Sequence, residues 1–197
     1  KKIMLAEYYY FSGQAEKAIL AAEEYLTDKN TDIRLSACLI FSYANLTVGE
    51  ISRSKHALIE LKNTLLNSED IKDTRAAEVF IAFTSAVLLH LPLSDETPPI
   101  QDYLYLLPNG IRLFALYVQA HYTYLQEDYG RSLGITETAL ALQSDIYPIP
   151  TIYLHLVAVM NYMSLKKLDK AKEHLLTAWK IARPDDLIEG FGEHHGL

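Results

Sequence analysis

Four small residues recur in register along this sequence and do most to limit its fold. Ala18, Ser54, Ser132 and Ala171 are separated by 36, 78 and 39 positions, and the middle interval is twice 39, so a further unit lies between them in phase. Twelve positions before each stands Ala6, Ser42, Ala120 or Val159, three of them small. Two helices can approach closely only where their facing side chains are small. A small residue repeated at a fixed distance from another therefore marks one helix hairpin used over and over.

The rest of the pattern agrees. Apolar residues recur at steps of three and four, as in Ile152, Leu154, Val157 and Ala158, and in Leu168, Ala171, Leu175, Ala178 and Trp179. Strand-like alternation is absent. Breaks fall at Gly13, Thr27–Thr31, Gly49, Asn67–Asp70, Pro92–Pro99, Pro108-Asn109-Gly110, Asp145–Pro150 and Pro184, one helix or one helix pair apart. They predict ten helices in five antiparallel pairs: 2–12 with 14–27, 32–47 with 50–67, 73–90 with 98–107, 110–126 with 128–143, and 150–165 with 168–183. The third pair departs from the others. A proline-bearing link, Leu91–Pro99, precedes a helix of barely two turns, which should leave a gap or a bend in the stack.

The stretch from Lys167 to Trp179 and the Pro184 beyond it are similar to the tetratricopeptide pattern. In that pattern a small residue opens the second helix (helix B), a large apolar residue and a second small one follow, and proline closes the unit; Ala171, Leu175, Ala178 and Pro184 hold those places. Gly13, Ala18 and Ala22 do so in the first pair, with Tyr25 replacing the last small residue. Gly49, Ser54, Leu58 and Leu61 do so in the second pair, and Ser132, Thr136 and Ala139 in the fourth. The resemblance implies an all-α fold, a right-handed tetratricopeptide-like α-α superhelix (solenoid) of about five antiparallel helix pairs. It would cover residues 1–184, with 185–197 the start of a following helical segment, truncated. Spacings of 36 to 39 exceed the strict repeat of about 34 residues, so the array is tetratricopeptide-like rather than regular.

Composition narrows the function. Net charge is -7, and no basic stripe stands out, so direct nucleic-acid binding by this segment is not expected. Cys38 is the only cysteine and sits on an apolar stretch, which excludes an intrachain disulfide and suits a reducing cytoplasm. No run reaches the roughly 18 apolar residues of a membrane span, so no membrane partner is expected. Lys1 in place of an initiator methionine reads as the edge of a piece of a longer protein. No serine has the strand-turn-helix setting of an activated nucleophile, and no closely spaced glycines could cradle phosphate. The histidines carry no metal spacing: His194 and His195 are neighbours that point apart on a helix, and His56, His121, His155 and His174 each stand without a paired histidine or cysteine. No catalytic residue, metal site or cofactor is expected; the chain reads as a binder.

Tyrosine is in excess, 14 of 197 residues, and rings with a polar tip suit binding surfaces. In a tetratricopeptide stack the concave wall comes from the first helix of each pair (helix A). The resemblance then assigns a ligand or partner groove to Tyr10, Tyr43, Phe114, Tyr117, His121, Tyr124, Tyr153, Met160 and Met163. The same rings could instead plug between repeats as core. The final stretch, Ala182-Arg183-Pro184-Asp185-Asp186-Leu187-Ile188-Glu189-Gly190-Phe191-Gly192-Glu193-His194-His195-Gly196-Leu197, resembles the end of the helical-repeat region of bacterial LuxR-type transcription regulators. That resemblance implies a sensing and protein-contact region whose DNA-binding module lies outside this fragment. No ligand residue carries over from it. Beside that resemblance, a protein or peptide partner, or a small-molecule effector, is expected in the concave groove. The other expectation is a generic scaffold for protein–protein interaction.

Overall fold

The computed structural model describes residues 2–66, 71–90, 99–143 and 147–194. Among them there is helix and turn but no strand. The helices are α1 (Lys2–Phe11), α2 (Ala15–Glu23), α3 (Thr31–Thr47), α4 (Ile51–Leu66), α5 (Ile71–Phe83), α6 (Asn109–Leu125), α7 (Tyr129–Leu142), α8 (Pro148–Ser164), α9 (Leu168–Ala182) and α10 (Glu189–Glu193). Consecutive helices pack as hairpins, α1 on α2, α3 on α4, α6 on α7 and α8 on α9. The chain divides into two compact units, Lys1–Ile81 and Ala82–Leu197, with the boundary inside α5.

The small residues twelve apart meet as the spacing predicts. In the first unit Ser42 and Ser54 are both fully buried, with their hydroxyl oxygens 2.8 Å apart. In the second unit the Ser132 hydroxyl donates to the Ala120 carbonyl at 2.7 Å, and the Asn161 amide of α8 donates to Ser132 Oγ at 2.8 Å. Val159 and Ala171 pack in one cluster with Ala158 and Tyr162. A hydroxyl bonded to a backbone carbonyl at a crossing satisfies a polar group while letting the two backbones come close.

The turn inside each hairpin is a second repeat, one that composition hides. Gly13, Gly49, Glu127 and Lys166 all have left-handed backbone, with φ of 74, 84, 62 and 59°. Each lies five positions before the small residue of its pair. The amide after each donates back into the preceding helix: Gln14 to Tyr9 O, Glu50 to Asn45 O, Asp128 to Thr123 O and Lys167 to Tyr162 O. This is the helix-ending motif that a left-handed residue permits. His90, with φ of 52°, follows α5, 41 positions after Gly49 and 37 before Glu127.

The third pair differs from its expected form. Its first helix, α5, continues as a π turn over Thr84–Leu88. The second, expected over 98–107, is replaced by two 3-10 turns, Ile100–Asp102 and Leu104–Leu106. Proline at 99 and at 108 explains this. Leu107, held before Pro108, is extended with ψ of 140°, and the stretch between the prolines is too short to nucleate an α-helix. The proline-bearing part of the link, 91–98, lies outside the described residues.

Candidate functional site

The helix-A residues named from the sequence fall into two groups. In the first unit Tyr10 and Tyr43 are buried with ring centroids 5.7 Å apart, and the Tyr43 hydroxyl donates to the Phe80 carbonyl. In the second unit Phe114, Tyr117, His121, Tyr153 and Met160 are buried, Tyr124 is half-buried, and Met163 is exposed. Phe83 joins this second group, 5.1 Å from Phe114 and 6.1 Å from Tyr153.

Tyr117, His121 and Tyr124 share one face of α6 because they are spaced by four and three. Tyr117 stands edge-on to Tyr153 of α8 at 4.9 Å, and its hydroxyl lies 3.4 Å from His121 Nδ1. Burial and the nearby Glu193 carboxylate push the Tyr117 phenol well above its ordinary pKa, so it stays protonated.

What covers this face is the chain's own C-terminal segment. After α9 the left-handed Asp186 turns the chain, and the Leu187 amide returns to Ala182 O. Residues 187–194 then run back over α8. Phe191 stands edge-on to Trp179 at 5.8 Å, and the Tyr153 hydroxyl donates to the Glu193 carboxylate. The His194 ring sits among His121, Tyr153 and Tyr117, at 5.2, 5.3 and 5.6 Å, with its Nδ1 bonded to Gly190 O. Gly190 makes the seat possible: a Cβ there would lie 2.8 Å from the Tyr153 ring. We call residues 187–194 the strap.

Sequence reasoning rejected His194 and His195 as metal donors and placed them with Glu193 in the LuxR-like final stretch, but missed the strap. The available signal was Gly190-Phe191-Gly192, two glycines around an aromatic residue just past a helix. His155 and His174, each expected to stand alone, are in fact a pair. Their Nδ1 atoms lie 2.9 Å apart across α8 and α9, so one ring donates and the other accepts. Burial, and then the charge of His174, hold His155 down to about 4. Tyr162, ring to ring with His174 at 5.4 Å, donates to the Glu137 carboxylate, and that bond first of all pushes the phenol up to about 12. Among the described residues no three His, Cys, Asp or Glu side chains converge as a metal would require, and no helix is long and apolar enough to cross a membrane.

The geometry thus supplies an aromatic and histidine-lined face, closed from within the same chain. No family model, curated protein or solved structure matches this sequence.

Proposed function

We propose that this chain is a non-catalytic binding and regulatory domain, a tetratricopeptide-like array of the kind found in LuxR-type transcription regulators. A protein or small-molecule effector competes with the strap for the helix-A face of the second unit. The observation that carries the reading is the placement of Glu193 and His194 against Tyr117, His121 and Tyr153. A segment whose only described helix has five residues cannot hold itself there by its own backbone, so side-chain contacts hold it. Filling a core with a carboxylate and imidazoles is costly compared with apolar packing, which suits an element that leaves its seat. A stretch resembling the junction with a DNA-binding module is the stretch that would move.

The test is Gly190→Leu, which drives a side chain into Tyr153. Amide exchange of residues 187–194 should quicken while α6 to α9 keep their protection. A labelled peptide of residues 185–197 should then bind the variant and not the parent chain. Loss of protection in α8 together with the strap would make the segment ordinary core and end this reading. The alternative, a generic scaffold for protein–protein interaction, is favoured by the apolar face of α9, where Leu168, Leu176 and Trp179 are exposed. A scaffold would bind its partner equally well with the strap seated or released.

A further inference from the structure

One flank of α7 lines a cavity together with α6. Ser132, Thr136 and Ala139 are buried, with Ser132 bonded to α6, and Leu133 packs toward α8 against the cluster of Ala158 and Val159. Arg131, Ile135, Thr138 and Leu142 follow at steps of four, three and four along the remaining flank. With residues of α6 and with Tyr147 they line a cavity of about 770 Å³. That volume lies in the range of small-molecule sites, about 300–1,000 Å³. Leu142 is 79% exposed, so the cavity opens to solvent beside an apolar side chain.

The lining is apolar at Leu113, Leu116, Ile135 and Leu142 and carries two cations, Arg112 and Arg131, with no carboxylate among the described residues that line it. In a chain of net charge -7 that is a local reversal. Arg112 is fixed by the Leu104 and Leu107 carbonyls, both at 2.9 Å, which leaves one terminal nitrogen of its guanidinium clear of those bonds. Arg131 makes no ion pair among the described residues. We propose that this cavity is a binding site for a small amphiphilic anion, an apolar body bearing one carboxylate or sulfonate that meets Arg131. An arginine fork aimed at a small anion beside apolar walls is the chemistry that selects such a molecule over its neutral analogue.

The inference goes beyond the regulatory reading: none of residues 187–194 and none of Tyr117, His121 and Tyr153 lines the cavity, so it is a second site, separate from the face that the strap covers. Its test does not touch the strap, so the two can fail separately. Two fluorescent probes share one body: 8-anilinonaphthalene-1-sulfonate carries the anion, and N-phenyl-1-naphthylamine lacks it. Gly134 lies in the lining, and a Cβ added there would meet nothing within 4 Å. Gly134→Trp therefore fills the cavity without a clash at the helix. Gly134→Ala leaves the cavity open and serves as the control. Both probes should bind the parent and Gly134→Ala and be lost from Gly134→Trp, with all three chains equally helical. Arg131→Glu should weaken the sulfonate at least about tenfold, as loss of one charged contact implies, while sparing the neutral probe. Sulfonate binding that survives Gly134→Trp, or that Arg131→Glu leaves unchanged, overturns the assignment. So does absence of binding to the parent.

Discussion

Lys166 stands at the turn between α8 and α9 with φ of 59°, where Gly13 and Gly49 occupy the equivalent place in earlier hairpins. Replacing it by glycine isolates the cost of the left-handed backbone. A non-glycine residue there costs about 1–2 kcal/mol. Glycine returns about 0.4–1 kcal/mol of that by enlarging the unfolded ensemble. The lost lysine charge near the end of α8 removes about 0.3 kcal/mol of favourable dipole interaction. The side chain is exposed and the Lys167 bond to Tyr162 O is made by backbone, so nothing else changes. Lys166→Gly should therefore stabilise by about 0.5 kcal/mol, and Lys166→Val, whose branched Cβ resists positive φ, should destabilise by about 1 kcal/mol or more. Urea denaturation followed by circular dichroism measures both, with the slope expected to stay constant. If glycine destabilised the chain, or valine were neutral, the left-handed turn would not be the element that closes the hairpin.

Three further outcomes follow. Ala171→Leu puts three extra carbons into the cluster of Ala158, Val159 and Tyr162 and should cost about 1–3 kcal/mol in the same assay. Tyr117→Ala removes a fully buried ring and should cost about 3–5 kcal/mol; a loss below about 1 kcal/mol would mean that the ring is not packed. His155 is held near 4 in the folded chain against 6.5 for a free imidazole, so the unfolded state binds more protons between those values. Its contribution is present above about pH 6.5 and is lost as pH falls toward 4. It should amount to about 1–2 kcal/mol after allowing for solvent screening, read as the parent minus His155→Gln difference in urea at pH 7.5 and 4.5.

The hairpins were legible because steric contact leaves a compositional trace. Only a small residue fits where α6 crosses α7, so Ser132 and Ala120 announce the crossing at any sequence distance. The turn was half legible. Glycine betrays positive φ at 13 and 49, but Glu127 and Lys166 adopt the same backbone with no sign in their identity, because the surrounding hydrogen bonds impose it. The second helix of the third pair was misread because a run such as Tyr103-Leu104-Tyr105-Leu106-Leu107 has helical composition, while the prolines on either side decide its backbone. The site divides in the same way. Tyr117 and His121 could be placed on one face by helical phase, which is a local property, and Tyr153 was set beside them only by the offsets that the tetratricopeptide resemblance implies. The seating of Glu193 and His194 upon them depends on a chain reversal at Asp186, and no periodicity carries that. The His155–His174 pair escaped notice for the related reason that its partners are 19 positions apart on two helices.

The chain contains a single tryptophan, and it lies where α9 meets the strap. Trp179 is 47% exposed and touches Phe191 edge-on, so half its indole is already wetted while the strap shields part of the rest. Departure of residues 187–194 would hydrate that edge and shift the emission to longer wavelength, with no other indole to dilute the signal. The molecule thus carries an intrinsic optical readout of its own C-terminal contact. Titration of an effector, or of denaturant, can be followed through that one chromophore without attaching a label.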